Sequence, residues 1–354
     1  MALETAPATL EVVRHEAADQ EDIFRFYAET FGQDLTEGSR RRWQWQYAAN
    51  PQRETEGPSI WVAREGTAVL GQYASMPVAL LWGGREVRSS WGMDVFLRPE
   101  ARGKGVGARL FTAWSDHVEV ALGLGLTPSS YGLFKKLSYH DVGPVPFFQK
   151  VLDARAVARR RLGFVAGTLA APLLSLGWSL RYPDRPRASA VTVERITSFG
   201  PEFDALWERA GASYAMCVRR DAAYLEWKYA ACPHRTYDLW AARAAGLLRG
   251  FAVSRHEDYR GLRLGWIVDL FADASDRDAK DALVSAVLDS FRAAGVARAQ
   301  AFALHGALGD DLRRHGFRQA QSPMQFCVRT RVEDAPLRDR ARWHVVFGDS
   351  DMDR

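Results

Sequence analysis

The sequence predicts an α+β fold built twice along the chain, each copy a mixed, mostly antiparallel sheet flanked by helices. At 354 residues the chain is long enough for two domains of ordinary size. Each half contains alternating apolar segments typical of a hairpin, then a longer apolar strand, a loop, a helix and a further strand. This order indicates an α+β domain and not the strict alternation of a doubly wound sheet.

An internal repeat supports the count of two domains. The segment WQYAANP at 45–51 returns as WKYAACP at 227–233, an offset of 182 residues. Three further pairs of segments match in the same order, which is the signature of a duplicated fold. They are WVAREGTAVLGQYA with WAARAAGLLRGFAV, MDVFLRPEARGKGVGARLF with IVDLFADASDRDAKDALVS, and LFKKLSY with DLRRHGF.

The repeat and the composition around it predict four regions. We expect a first domain, a helical linker with apolar and basic residues, a second domain, and a charged tail. Because charged chain ends without a core to pack on are usually poorly ordered, we expect the tail to fray. The bounds of the four regions are 1–152, 153–190, 191–333 and 334–354.

The linker contains an apolar stretch from Leu162 to Leu180, with arginines at 159–161 before it and Arg181 after it. Its length is near the minimum for a membrane span, but Pro172 and three glycines interrupt it. We expect a helix that packs across the two domains. The alternative is a weak peripheral contact of residues 159–181 with an anionic membrane.

Composition and charge exclude several classes of function. The formal net charge is +4, and because the basic residues are spread along the chain, a nucleic-acid partner is not expected. The three cysteines, Cys217, Cys232 and Cys327, have no spacing typical of a metal site, so no metal is expected. The first residues lack an apolar leader segment, and we expect a cytoplasmic protein.

The motif with the clearest chemistry is DVFLRPEARGKGVGARLF, which begins at Asp94. A strand ends near Pro99, a glycine-rich turn follows, and a helix begins within it. Glycines at 103, 105 and 107 let backbone N–H groups converge on an anion, and the helix N-terminus adds a partial positive charge. This geometry suits a pyrophosphate. A dinucleotide-binding Rossmann turn would instead open the domain in a βαβ unit, whereas this loop follows the fourth strand of a meander.

The segment RPEARGKGVG resembles motif A of the GNAT (Gcn5-related N-acetyltransferase) superfamily, whose pattern Arg/Gln-x-x-Gly-x-Gly/Ala is met by Arg102, Gly105 and Gly107. LFKKLSY at 133–139 resembles the LYEKLGF helix of the same superfamily. The resemblance covers residues 5–150 closely, and the repeat extends it to a tandem arrangement of two GNAT-like domains.

The resemblance implies acetyl-CoA as the acyl donor, bound by the first domain without a metal. The backbone of Val95, Phe96 and Leu97 would bind the pantetheine arm. Phe134, at the position of a family tyrosine, would lie beside the cofactor. The amides that would bind the pyrophosphate belong to Arg102, Gly103, Lys104, Gly105, Val106, Gly107 and Ala108.

The same resemblance implies direct attack of an amine on the thioester, with a base and an acid but no covalent enzyme intermediate. Phe134 cannot donate a proton, so Tyr131, one helical turn earlier, is the candidate acid; the alternative is an aromatic residue packed at an edge. Asp94 is the candidate base, and the alternative is a carboxylate paired with an arginine. His140 is a weaker candidate.

The second copy has lost the features of the anion loop. Asp278, Lys280 and Ala282 replace the three glycines, so we expect no CoA binding there. The position of the family tyrosine is Leu312. This copy would serve a structural purpose or form one wall of the acceptor site. The repeated tryptophans and tyrosines of WxYAAxP either anchor the core or border that site.

The sequence therefore predicts an N-acyltransferase that transfers an acetyl group to an amine of a small molecule or a peptide. Two alternatives remain open. One is a non-catalytic regulatory protein that binds acyl-CoA, which Phe134 favours. The other is an aminoacyl transferase similar to the FemAB group, which uses aminoacyl-tRNA; the intact glycine loop argues against it.

Overall fold

The computed structural model describes residues 10–16, 19–31, 37–54, 57–181, 190–331 and 339–353. Its α-helices are α1 (Gln20–Phe31), α2 (Glu37–Trp43), α3 (Val106–His117), α4 (Pro128–Lys136), α5 (Ala154–Leu162), α6 (Phe164–Arg181), α7 (Glu202–Ala210), α8 (Ala222–Leu225), α9 (Arg277–Ala293) and α10 (Gly306–Arg314). Two short π-helical segments, Gln44–Ala48 and Glu226–Ala230, extend α2 and α8 at the two WxYAAxP repeats.

The strands form two mixed sheets flanked by these helices. In chain order they are β1 (Leu10–Arg14), β2 (Ile60–Glu65), β3 (Ala68–Trp82), β4 (Arg85–Leu97), β5 (Val120–Leu124), β6 (His140–Pro144), β7 (Phe147–Val151), β8 (Thr192–Ile196), β9 (Met216–Val218), β10 (Asp238–Ala244), β11 (Leu247–Tyr259), β12 (Leu262–Ala272), β13 (Arg298–Phe302), β14 (Arg318–Ala320), β15 (Gln325–Thr330) and β16 (Trp343–His344). The predicted α+β class with two sheets is confirmed.

The two copies exchange their last strands. The first sheet has the order β1-β2-β3-β4-β5-β15-β6, so a strand of the second copy lies between β5 and β6. The second sheet has the order β14-β7-β13-β12-β11-β10-β8, so a strand of the first copy lies between β13 and β14. Cys327 pairs with Gly123 in the first sheet, and Phe148 pairs with Ala301 in the second. Each sheet is therefore completed by a strand of the other copy. The predicted boundary at residue 152 separates the two repeats in the sequence but does not separate the two sheets.

A pair of tryptophans from the WxYAAxP repeats joins the two copies. The rings of Trp45 and Trp227 are stacked with their centroids 5.2 Å apart. Each indole N–H donates to the backbone carbonyl of the other residue, at 2.7 and 2.8 Å. Two equivalent residues that contact each other reciprocally lie on an approximate two-fold axis between the copies. The two tryptophans therefore anchor the copies to each other.

The tail does not fray, which corrects the prediction for its described part, residues 339–353. Trp343 is 1% exposed and packs against Trp82 and Phe326. The four residues after Trp343 are buried as well. The physical reason is local: the apolar run WHVVF at 343–347 interrupts the charged sequence and enters the core.

The linker also differs from its prediction. It forms two helices, α5 and α6, which pack against each other. However, α6 leaves most of its large apolar side chains exposed, with Leu169 and Leu173 at 75% and 77% exposure. The expectation of a helix buried across the two domains is therefore wrong. Among the described helices, none is long and apolar enough to cross a membrane.

Candidate functional site

The first sheet opens between its two central parallel strands. β4 and β5 are paired only where Ser89–Trp91 lie beside Val120–Leu122. Beyond this point β4 continues to Leu97 and β5 to Leu124, and the described residues show no pairing between them. Strands that separate in this way leave backbone N–H and C=O groups along the gap available to an extended ligand. Val95, Phe96 and Leu97, predicted to bind the donor arm, lie on the β4 side of this gap.

A β-bulge at Asp94 marks the place where the strands separate. In the register of β3 with β4, Gln72 pairs with Phe96 and Ala74 with Met93, so Tyr73 faces two residues. Asp94 has a φ of 44°, a left-handed conformation that costs free energy for a residue with a side chain. Bulges redirect side chains next to active sites, and here the bulge turns the Asp94 carboxylate toward the WxYAAxP helix.

Two residues of that helix hold the Asp94 carboxylate. The hydroxyl of Tyr47 donates to Oδ2 at 2.6 Å, and Nε2 of Gln46 donates to the same oxygen at 3.1 Å. Burial and the charge of Asp94 raise the pKa of Tyr47 well above its ordinary value, so its hydroxyl stays protonated and remains a donor. Tyr47 and Gln46 are thus neutral donors to Asp94, and the role of Asp94 as a base stays a prediction.

The glycine-rich loop provides the second part of the site, directly after β4. Gly103 and Gly105 have φ values of 74° and 79°, which L-residues with side chains rarely adopt. A Cβ at either position would have no atom within 4 Å, so the space above the loop is open. Gly105 is the N-cap of α3, and the amides of the first turn have no intrahelical acceptor.

The remaining loop positions fit the same arrangement. Arg102 and Lys104 are exposed, whereas Val106 is buried and anchors the start of α3. Gly107 and Ala108 are partly exposed in the first turn. The loop thus joins exposed cations, open amide groups and a helix N-terminus, a combination that favours a phosphate-bearing ligand.

Tyr131, the predicted acid, lies on α4 with its hydroxyl directed toward the sheet edge. The hydroxyl donates to Asp141 of β6 and accepts from Nε2 of Gln325 at 3.4 Å. The hydrogen bond to Asp141 raises the pKa of Tyr131. Tyr131 contacts β6 and β15, whereas Asp94 contacts the WxYAAxP helix. The structure thus does not bring the two predicted catalytic side chains together, and the role of Tyr131 stays a prediction.

Phe134 occupies the core beneath β5. Its side chain is 1% exposed and packs against Phe111 and Tyr139, with ring centroids 5.2 and 4.4 Å away. A Cβ at Gly123 of β5 would overlap its ring, so the absence of a side chain there makes room for it. Because the ring is covered by protein, a side-chain contact of Phe134 with the cofactor finds no support in this structure.

In the second copy, the equivalent helix start is already capped. Asp276 is the N-cap of α9, and its carboxylate accepts from the amide of Ala279 at 3.1 Å. The same carboxylate pairs with Arg249 at 2.6 Å. Lys280, at the position of a loop glycine, is buried and pairs with Asp311 at 2.7 Å. A carboxylate of the chain itself thus takes the place that an anionic ligand would need.

The gap between the central strands of the second copy is filled by the tail. Val346 forms a β-bridge with Ala303, which directly follows β13. On the other side, the amide of Gly348 donates to the carbonyl of Val268 in β12 at 2.8 Å. These contacts use backbone groups that the first copy leaves open. Sequence reasoning missed this arrangement, and the only local signal for it was the apolar run at 343–347.

A buried ion-pair network closes the same region. Arg220, 1% exposed, lies 3.2 Å from Asp269 of β12 and 3.2 Å from Asp349 of the tail. Tyr229 also donates to Asp269 at 2.8 Å, just as Tyr47 donates to Asp94. Asp269 is therefore the structural counterpart of Asp94, but here an arginine neutralises it.

A small cavity lies where the two copies meet, and one of its lining residues, Gln46, also donates to Asp94. Trp45 and Gln46 line one side of it, and Tyr229 and His234 line another. Burial, together with the nearby cations of Arg42 and Arg235, lowers the pKa of His234 to about 4. The end of the tail borders this region, since a Cβ at Gly125, just after β5, would overlap the sulfur of Met352.

Comparison with known proteins agrees with this geometry. The family described as "Acetyltransferase (GNAT) domain" matches residues 11–140. No curated protein matches the chain. Among solved structures, a GCN5-related N-acetyltransferase from Anabaena variabilis is 13% identical with a TM-score of 0.63, covering 91% of this chain and 73% of that chain.

Two further solved structures have a similar fold. A GCN5-related N-acetyltransferase from Kribbella flavida is 18% identical with a TM-score of 0.59, covering 91% of this chain and 71% of that one. The N-myristoyltransferase of Saccharomyces cerevisiae with bound myristoyl-CoA is 12% identical with a TM-score of 0.52, covering 92% and 83%. At these identities the likeness concerns the fold. The family match identifies a GNAT acetyltransferase domain in residues 11–140, and the solved structures show that the whole chain shares its fold with proteins of this kind of architecture.

Proposed function

We propose that the protein is an acyl-CoA-dependent N-acyltransferase whose donor site is the gap between β4 and β5 of the first copy. One observation carries the proposal: this gap leads directly into a helix start with open amides and left-handed glycines. An extended pantetheine arm needs backbone partners along its length, and its pyrophosphate needs converging N–H donors. In the first copy the strand gap and the open helix start follow each other along the chain. In the second copy residues of the chain itself occupy both places.

The donor would lie with its arm along Val95–Leu97 and its pyrophosphate at the loop of residues 102–108. This orientation carries the thioester toward the bulge at Asp94, where β4 and β5 separate. A neighbouring structure of the same fold contains myristoyl-CoA, which supports a CoA thioester as the donor class. We propose acetyl-CoA as the donor for this chain.

Asp94 would accept the proton that the amine loses. The amine nitrogen attacks the thioester carbonyl carbon, the C–S bond breaks, and the acyl group remains on nitrogen. An alkylammonium titrates near 10, so a proton must leave before or during the attack, directly to Asp94 or through a water molecule. Tyr47 and Gln46 orient the carboxylate for this purpose. The thiolate is a fair leaving group and takes its proton from solvent or from a positioned acid.

The acceptor amine would enter through the cavity between the two copies. Gln46 lines this cavity and also donates to Asp94, so an amine bound there would lie close to the carboxylate. The aromatic rings of Trp45 and Tyr229 on its walls suit the apolar part of an acceptor. We propose a small-molecule or peptide amine as the acceptor class.

The test is to incubate the protein with acetyl-CoA and a panel of amines, including amino sugars, polyamines and peptides with a free amine. Release of free CoA thiol that depends on both the protein and one amine class supports the proposal. Binding of acetyl-CoA with no turnover across the panel would replace it with a non-catalytic acyl-CoA-binding function. Absence of acetyl-CoA binding would overturn it.

A further inference from the structure

The linker helix α6 presents a stripe of apolar side chains to solvent. Val165, Leu169, Leu173 and Leu176 are between 58% and 77% exposed. At about 100° of rotation per residue they fall within roughly 80° of one another on the helix surface. Phe164 and Leu162, at 71% and 54% exposure, extend the apolar surface to the start of α6. Soluble surfaces rarely expose so many large apolar side chains together.

The packing of α6 on α5 explains why the large side chains face outward. Gly167 and Ala171, on the opposite side of the helix, are buried against α5. A Cβ at Gly167 would overlap the backbone of Arg159, so the two helices are in close contact at this point. The small residues form the contact between the helices, and the large ones remain available for another partner.

The helix beneath this stripe is basic. Arg155, Arg160 and Arg161 of α5 are exposed, and neither α5 nor α6 contains an acidic residue. Arg160 also donates to the carbonyl of Arg260, in the turn between β11 and β12. Next to that turn Tyr259 is 50% exposed, and the guanidinium of Arg260 lies over its ring. The hairpin that carries the apolar stripe is thus basic, and an exposed aromatic ring lies beside it.

We propose that the α5–α6 hairpin docks on the surface of an anionic lipid bilayer, with α6 lying in the plane of the interface. Apolar side chains next to arginines suit the boundary between acyl chains and negatively charged headgroups. A second copy of the chain fits less well, because a symmetric dimer across this face would place the same arginines opposite each other. The helix lies on the membrane and does not cross it, in agreement with its composition and its proline at 172.

The experiment measures co-sedimentation of the full chain with vesicles of neutral phosphatidylcholine or of phosphatidylcholine with anionic phosphatidylglycerol. We expect binding to the anionic vesicles and weaker binding to the neutral ones. The double variant Leu169→Ser, Leu173→Ser should lower the partition coefficient at least about 10-fold. Arg160→Gln with Arg161→Gln should lower it on the order of 30-fold, and only on the anionic vesicles.

Leu247→Ser is the matched control, because Leu247 is also an exposed leucine but lies at the start of β11. It should leave vesicle binding unchanged. Circular dichroism of each variant checks that the fold persists, and light scattering reports the oligomeric state. Failure of the wild-type chain to bind anionic vesicles would overturn the proposal. So would a dimer in solution that Leu169→Ser, Leu173→Ser dissociates, since the stripe would then contact a second copy.

Discussion

The first and second copies share the same central strands, the same WxYAAxP helix and the same tyrosine–aspartate pair. Among the described residues, backbone contacts of the tail bridge the gap between the central strands in the second copy, and none bridges it in the first. In the first copy Gly105 begins α3 without a side chain, whereas in the second Asp276 caps α9 with its own carboxylate. In the first copy Tyr47 and Gln46 donate to Asp94, and in the second Arg220 pairs with Asp269 in a buried ion pair. The architecture alone therefore does not make a donor site. A few side chains and one short segment decide whether the site is open.

Of the features that distinguish the two copies, the tail should have the largest effect on the free energy of unfolding when it is disrupted. Trp343 is 1% exposed between Trp82 and Phe326, so Trp343→Ala should lower the free energy of unfolding by about 3–5 kcal/mol. Urea denaturation measures this change, and hydrogen exchange at residues 343–349 should accelerate. Tyr259→Ala, at an exposed ring, should change stability by less than about 1 kcal/mol. A Trp343→Ala protein as stable as the wild type would show that the tail does not close the second copy.

Giving the first copy the carboxylate of the second should close its donor site. Gly105→Asp places a negative charge beside the pyrophosphate, and an unpaired like charge should weaken acetyl-CoA binding on the order of 10³-fold. Gly105→Asn is the matched control, because it has the same shape and the same positive φ but no charge. Calorimetry should show one acetyl-CoA site per wild-type chain. Two sites, or equal loss in both variants, would contradict the proposed contrast between the copies.

Asp94 accepts from Tyr47 and Gln46 close to the proposed position of the thioester, and its substitution tests whether the carboxylate serves catalysis. Asp94→Asn keeps the shape, so it should preserve acetyl-CoA affinity and lower kcat by roughly 10²-fold. Tyr131→Phe should lower kcat much less, because the hydroxyl donates to Asp141 at the sheet edge. A pH–rate profile of both variants with an active amine measures this. Full activity of Asp94→Asn together with loss in Tyr131→Phe would reverse the assignment.

The smallest effect concerns His234, where the copies meet. Its pKa is about 4 in the folded chain because it is buried near cations, against about 6.5 when unfolded. Below pH 6.5 the unfolded chain binds a proton that the folded chain does not, so stability falls as the pH decreases toward 4. His234→Gln should reduce this loss by about 1–2 kcal/mol between pH 7 and 4.5.

Urea denaturation at the two pH values measures this difference. His256→Gln, on the exposed part of β11, controls for the loss of a histidine. If His234→Gln and the wild type lose equal stability on acidification, then His234 does not hold a lowered pKa at the junction.

The sequence predicted features that depend on neighbouring residues and missed those that depend on distant ones. The glycines at 103 and 105 act through their own φ values, so their spacing revealed the loop directly. Tyr47 and Asp94 are 47 residues apart, and only the bulge in β4 brings them together. The exchange of β7 and β15 left no sequence signal, because either copy of a repeated strand satisfies the same apolar pattern. The outward face of α6 was missed because an apolar pattern does not identify what covers it.

The exchange of strands also has a consequence for synthesis of the chain and for its evolution. β15 lies beside β5, so the first sheet remains incomplete until about 200 further residues have left the ribosome. A ribosome that stalls after the first copy leaves an unpaired edge exposed to other nascent chains. The second copy therefore serves the first as a folding partner, independently of any ligand of its own. Truncation at residue 152 follows the boundary of the repeat. It nevertheless removes β15 from the first sheet, which it is meant to isolate.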